Sequence, residues 1–213
     1  MRTRRLTSVL IVANLCLLTL YLSGWTHSNA SLQDNKKTVD KHFAPKNEPI
    51  EITETKSKAK EIKLGESFED ESDWLQHVTF KVKNKSDKVI TFLQIDLDFP
   101  ETKITAGVTM MHQILLGRRP DFASTLKNQP LSLKPNEMIE IGLGTEYDDI
   151  KALIELKQSI GKINRLTIRT SDILFDDGSL YSGGSLFKRN PDPDSPQKWI
   201  RIDADTPSVS KQK

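Results

Sequence analysis

The sequence predicts a mainly β domain folded as a sandwich, with one helix, behind an N-terminal export segment. Three observations carry this. Between positions 78 and 202 several stretches alternate apolar and polar residues, the period of half-buried strands. Turn-forming residues separate those stretches at short intervals. One window, 147–156, changes to helical spacing.

The chain opens Met1-Arg2-Thr3-Arg4-Arg5, and its first carboxylate is Asp34. Residues 6–22 are mostly apolar, and Ser28 and Ala30 supply small residues at a cleavage position. A basic, then apolar, then small-residue order is the pattern of a secretory signal peptide. Residues 1–30 are therefore a signal peptide or, uncleaved, an N-terminal membrane anchor. The anchor alternative needs roughly 20 apolar residues with about 17 as the lower limit, and 6–22 sits at that limit. Cys16 lies inside the apolar stretch after Leu15. A lipidation site would instead follow that stretch.

The 213 residues include 31 Lys and Arg against 29 Asp and Glu. Without the three leader arginines, acids outnumber bases by one. That balance gives no electrostatic drive toward nucleic acid. Cys16 is the only cysteine, so a cleaved chain has no disulfide, thiolate metal site or cysteine nucleophile. Such a chain must rely on its core, which suits a bacterial envelope protein.

Residues 31–61 are polar and poor in large apolar side chains, and read as a disordered linker. The β-sandwich domain spans 62–204. Val78, Phe80 and Val82 alternate with polar residues as a first strand. Asn84-Lys85-Ser86-Asp87-Lys88 makes a turn to a second strand, pairing the two as a hairpin. Leu93, Ile95, Leu97 and Phe99 face the core there, and Gln94, Asp96 and Asp98 face solvent. Pro100 ends it. A third strand covers 108–116; Leu131-Ser132-Leu133 and 139–143 add two short ones. The helix follows, with Thr145 as its cap, Asp148 and Asp149 at its positive end, and Gly161 past its C-terminus.

Leu166 and Ile168 have the opposite parity to Ile173 and Phe175, which predicts a bulge at 170–172. Asp177-Gly178 signals a hairpin, returning through 180–188 with a break at Gly183-Gly184. A proline-rich loop, 190–197, leads to a last short strand with Trp199, Ile200 and Ile202. Residues 205–213 form a flexible tail. Seven or so short strands with one helix suit an immunoglobulin-like β-sandwich.

Two of these stretches resemble known sequences. Asn84-Lys85-Ser86-Asp87-Lys88-Val89-Ile90 resembles the first hairpin of many exported bacterial sandwich domains. Phe175-Asp176-Asp177-Gly178-Ser179-Leu180-Tyr181-Ser182-Gly183-Gly184, with Lys188-Arg189-Asn190-Pro191 and Trp199, is similar to a C-terminal pattern of uncharacterised exported bacterial proteins with such a domain. The resemblance spans roughly 75–200. It implies export and an all-β domain, and carries no activity and no site residue.

No histidine pair has metal-ligand spacing: His27 and His42 precede the domain, and His77 and His112 stand alone. Asp172, Asp176 and Asp177 are calcium candidates by their hard oxygens, but they match no EF-hand loop, and turn chemistry accounts for Asp176-Asp177-Gly178. No G-x-S-x-G or phosphate loop is present. The expectation is a non-enzymatic exported binding domain without a cofactor. Its partner is a protein or other envelope component, not nucleic acid, and it meets the membrane only through an uncleaved leader. The protein is placed in the periplasm or outside the cell, with 6–22 as the possible tie to the inner membrane. The binding candidates are Asp176, Asp177, Tyr181, Trp199 and Phe122 (in Arg119-Pro120-Asp121-Phe122), with Met110-Met111 as a further place of contact. The rival is a carbohydrate-active or hydrolytic accessory domain that uses carboxylates of the 176–184 hairpin.

Overall fold

The computed structural model describes residues 35–43, 45 and 47–202. The expected leader, 1–30, and tail, 205–213, lie outside them. The chain is mainly β. Its strands are β1 (Lys36–Lys41), β2 (Ile50–Ser57), β3 (Lys60–Glu61), β4 (Ser67–Glu69), β5 (Val78–Asn84) and β6 (Ile90–Phe99). After these come β7 (Met110–Gly117), β8 (Met138–Gly142), β9 (Arg165–Phe175), β10 (Leu180–Ser182), β11 (Ser185–Arg189) and β12 (Trp199–Arg201). Among the described residues there is one α-helix, α1 (Tyr147–Glu155).

Two sheets form. The smaller runs β3-β2-β5-β8. The larger has eight strands organised around β9. One edge of β9 pairs antiparallel with β6, which in turn pairs with β7. The other edge takes β1 in parallel along Arg165, Leu166, Thr167 and Ile168, then β10 antiparallel along Asp172, Ile173 and Leu174. The bulge expected at 170–172 lies between those two segments. Leu93 pairs with Ile173 but Ile95 with Thr170, so β9 carries one extra residue there. That extra residue restores inward parity: Leu166 and Ile168 are buried before it, Ile173 and Phe175 after it.

Both sheets send side chains into one core cluster. Ile50, Val78, Phe80 and Val82 come from one sheet, and Leu93, Ile95, Leu97 and Ile168 from the other. Each such aliphatic or aromatic side chain contributes about 1.5–3 kcal/mol on burial. Trp74 is fully buried. Its indole N–H donates to the Ile163 carbonyl at 2.8 Å, and its ring meets Phe68 edge-on at 5.7 Å.

The linker expected at 31–61 is overturned: most of it builds β1, β2 and β3. Hydropathy misses β1 because backbone pairing with β9 and β4 holds it, with Val39 as its one fully buried apolar side chain. In β2 the inward positions include Thr55 and Ser57 as well as Ile50 and Ile52.

The hairpin expected between the first two strands is also corrected. β5 pairs with β2 and β8, β6 with β7 and β9, so the chain crosses between sheets at 84–90. Buried Asn84 holds that crossing. Its amide donates to the carbonyls of Lys88 (2.8 Å) and Leu133 (2.9 Å), and its Oδ1 accepts from the Ser86 N–H and hydroxyl. The solvated face expected for Gln94 and Asp96 is buried too, with Asp96 only 2 % exposed. Asp96 accepts from Gln94 and Arg169, each at 2.9 Å.

Smaller differences follow. Leu133 makes only an isolated bridge to Ile90, not a strand. The Thr145 hydroxyl bonds back to Gly142 rather than capping α1, which starts after Glu146 with Asp148 and Asp149 in its first turn. The helix stops at Leu156, so Gly161 sits in a later 3-10 turn. Gly183-Gly184 reverses the chain, making β10 and β11 a second hairpin rather than one broken strand.

Candidate functional site

Three segments of distant sequence meet beside the β9–β10 turn. The turn itself closes through Gly178, whose φ of +78° suits glycine and whose N–H reaches the Phe175 carbonyl at 3.0 Å. Asp177 Oδ1 accepts from the Ser179 N–H at 2.9 Å and its hydroxyl at 2.6 Å. Asp177 Oδ2 pairs with Lys88 Nζ at 2.7 Å. Lys88 also donates to the Ser179 hydroxyl and lies 5.4 Å from the centre of the Phe175 ring. Partial burial alone would raise the Asp177 pKa. The Lys88 and Ser179 hydrogen bonds and the Lys88 charge outweigh it and hold the carboxylate at about 2.

The second segment is the loop after β7. Arg119 Nε donates to Asp121 at 2.9 Å, and its Nη1 pairs with Asp172 across the bulge. The Arg119 guanidinium stands 5.9 Å from the centre of the Phe92 ring. Buried Thr125 pins this loop: its hydroxyl accepts from the Arg119 N–H and donates to the Phe122 carbonyl, both at 2.8 Å. Burial opposes ionisation of Asp121, but Arg119 and, less strongly, Trp199 hold its pKa below the usual carboxylate value.

The third segment is the β11–β12 ribbon, where Arg189 faces Trp199 across the ladder. The loop between them is braced by Asn190, which accepts from the Asp192 N–H and donates to the Gln197 carbonyl. Together the three segments enclose a cleft of about 440 Å³ lined by Lys88, Asp121, Asp177, Lys188, Arg189 and Trp199 among others. Among the described residues, no carboxylate pairs with Lys188 or Arg189, so the cleft offers two free cations beside an indole.

Of the sequence candidates, this geometry brings Asp177 and Trp199 together. Asp176 is exposed outside the cleft, with its N–H on the Val89 carbonyl. Phe122 is half-buried and does not line the cleft. Tyr181 is buried and lines other cavities. The three calcium candidates do not converge: Asp172 is held by Arg119 and Asp177 by Lys88. Among the described residues no group of three His, Cys, Asp or Glu could hold a metal ion. The reading of the sequence missed Lys88, Arg119 and Asp121. The motif Arg119-Pro120-Asp121-Phe122 did point to this loop, though through its phenylalanine.

No protein-family model matches the chain, and no curated protein or solved structure matches it.

Proposed function

We propose that this chain is an exported, non-enzymatic interaction domain of the bacterial cell envelope, with an immunoglobulin-like sandwich as its scaffold. Its contact surface is the Trp199 cleft. One observation carries the choice of binding over chemistry: each carboxylate in the cleft is already committed to a fixed cation. Asp177 is bound by Lys88 and Asp121 by Arg119. A general acid must hold a proton near neutral pH. Asp177, held at about 2, is a carboxylate throughout that range. A half-buried indole beside Lys188 and Arg189 is recognition chemistry, since aromatic and arginine side chains dominate contact energies.

Export rests on the leader, and the partner is a protein or other envelope component. The test is affinity capture of the tagged full-length protein from its native membranes, beside a Trp199→Ala variant, with N-terminal sequencing of the recovered chain. A partner retained by the wild type and lost by the variant supports the reading. Turnover of a glycan or peptide panel that disappears in Asp177→Asn would replace it with the hydrolytic alternative.

A further inference from the structure

β7 is an edge of the larger sheet: among the described residues it pairs with β6 alone. Its eight residues keep one unbroken register, from Phe92 opposite Gly117 to Phe99 opposite Met110, and include no lysine, arginine, acid or proline. Folded proteins normally guard such an edge with charge, proline, a bulge or brevity. The other edge strands are guarded in this way. β3, β4 and β12 have only two or three residues, and β8 carries Glu140.

Two hydrogen bonds show which backbone groups of β7 face away from β6. Thr102 folds back on the end of β6 with its N–H on the Phe99 carbonyl, and its hydroxyl accepts from the Met110 N–H. The Met110 N–H therefore points toward β6. Alternate residues of an antiparallel strand bond to opposite sides. Leu115 thus faces away, and its carbonyl is taken by the Asn128 amide at 2.9 Å. By the same alternation Met111 and Gln113, both exposed, turn N–H and carbonyl outward. Among the described residues nothing bonds these four groups.

A groove of about 500 Å³ separates this edge from β8, an edge of the smaller sheet. Ile114 and Leu116 of β7 and Ile141 and Gly142 of β8 line it, with Glu140 and Glu146. A strand added to β7 would lie about 4.7–4.9 Å from it. Every second side chain of that strand would share the face of Ile114 and Leu116, over the apolar part of the groove.

The charges around the groove select the occupant. Glu146 accepts from His112 at 3.0 Å, and Asp148 and Asp149 follow it, exposed, in the first turn of α1. Glu140 faces Lys81 across the ladder, but Lys81 is paired with Glu54 at 2.9 Å, leaving Glu140 without an ion pair among the described residues. A second copy docked edge to edge would bring two such acidic rims together, and like charges repel. A basic segment meets the rim favourably. Main-chain bonds to an open edge supply affinity, and pockets for alternate side chains supply specificity.

We infer that the free edge of β7 takes an extended segment of a partner protein, basic and apolar at alternate positions, which adds one strand to the larger sheet and seats its apolar side chains in the groove. The site shares no lining residue with the Trp199 cleft and does not rest on the function proposed for that cleft.

The test titrates the full-length protein with two soluble peptides of alternating valine and threonine, one flanked by lysines and the other by glutamates, and follows amide exchange by NMR. The lysine peptide binds saturably, and the glutamate peptide binds at least about tenfold more weakly. Binding slows exchange at Met111 and Gln113. The amides of His112 and Ile114, already turned toward β6, change little. Gln113→Pro removes an N–H that β6 does not use, so it folds and melts near the wild type. It nevertheless weakens the lysine peptide about tenfold, the scale of a lost backbone bond and a blocked approach. Glu140→Lys, at an exposed position, weakens that peptide as well, and Trp199→Ala leaves it unchanged. Absence of saturable binding by the lysine peptide would overturn the inference. So would equal binding of the two peptides, wild-type binding by Gln113→Pro or Glu140→Lys, protection that leaves Met111 and Gln113 untouched, or loss of binding in Trp199→Ala. Unfolding of Gln113→Pro would place that N–H in the ladder with β6 and overturn it equally. A peptide-free dimer that Gln113→Pro abolishes would give the edge to a second copy instead.

Discussion

Asp177→Asn isolates the charge at the edge of the cleft. Asparagine keeps an oxygen for the Ser179 N–H, so the turn survives, while the ion pair with Lys88 is lost. The folded carboxyl lies at about 2 against an ordinary 3.8. At 1.36 kcal/mol per unit, that difference sets a ceiling of about 2.5 kcal/mol. Asp177 is 48 % exposed, however, and solvent screens such a pair. The expected loss at neutral pH is therefore about 1 kcal/mol. Asp177→Ala also removes the acceptor of the turn, adding about 1 kcal/mol more.

The pH dependence has a definite sign. The folded pKa is depressed, so the unfolded chain binds this proton more readily. The contribution is fully present above about pH 5 and fades as pH falls through about 2. Urea unfolding of wild type and Asp177→Asn should differ at neutral pH and converge in acid. An NMR titration that placed the Asp177 carboxyl at or above 3.8 would refute this account. So would equal stability of the two proteins at pH 7. A raised value would also return Asp177 to consideration as an acid catalyst.

Two further perturbations test the fold. At Gly117, φ is +80° and a Cβ would lie 2.2 Å from the Thr91 carbonyl oxygen, whereas at Gly107, with φ +78°, nothing lies within 4 Å. Gly107→Ala should cost only the left-handed penalty of about 1–2 kcal/mol, and Gly117→Ala well above 3 kcal/mol, both read by urea unfolding. Asn84→Ala should cost about 2–4 kcal/mol, because it strips partners from the Lys88 and Leu133 carbonyls and the Ser86 N–H at the crossing between sheets. A loss below about 1 kcal/mol would mean that crossing is held by something else.

The elements legible in the sequence were those that apolar side chains hold. β5 alternates buried and half-buried residues along its length, α1 buries Ile150 and Ile154, and the parity switch in β9 located the bulge. β1 escaped because parallel backbone pairing fixes it. Its fully buried Lys37 donates from Nζ to Asn164 at 2.6 Å, which a hydropathy pattern counts as solvated. The β2–β3 turn escaped for a different reason. Lys58 and Ala59 take positive φ there without the glycine or asparagine that such a turn favours. The β5–β6 error came from pairing neighbours in sequence: a polar turn between two strands looks the same whether it reverses a hairpin or crosses between sheets. The cleft was half legible. Asp177-Gly178 and Trp199 stood out by their residue types, but Lys88 and Arg119 become site residues only through partners 89 and 53 positions away.

Among the described residues there is no cysteine, so the irregular parts of this fold must be held by polar groups inside the protein. Those groups divide by whether they are satisfied. Asn84 makes four hydrogen bonds, Thr125 holds the loop after β7, Trp74 closes on Ile163, and Asp96 is met by Gln94 and Arg169. Thr125 acts within its own loop, the others join segments far apart in sequence, and each is complete within the chain. A complete group is accounted for by the fold. Buried atoms without a partner need another explanation, and most stand alone: Thr55 Oγ1 lies in the middle of a strand, and Asp73 Oδ1 belongs to a carboxylate whose other oxygen faces His77. Gln158 Nε2 lies in the stretch after α1, and Thr170 Oγ1 lies beside the β9 bulge. The bulge restores the parity of the core while Thr170, just before it, stays paired with Ile95. One inserted residue thus turns Ile173 and Phe175 back into the core without ending the pairing of β9 with β6.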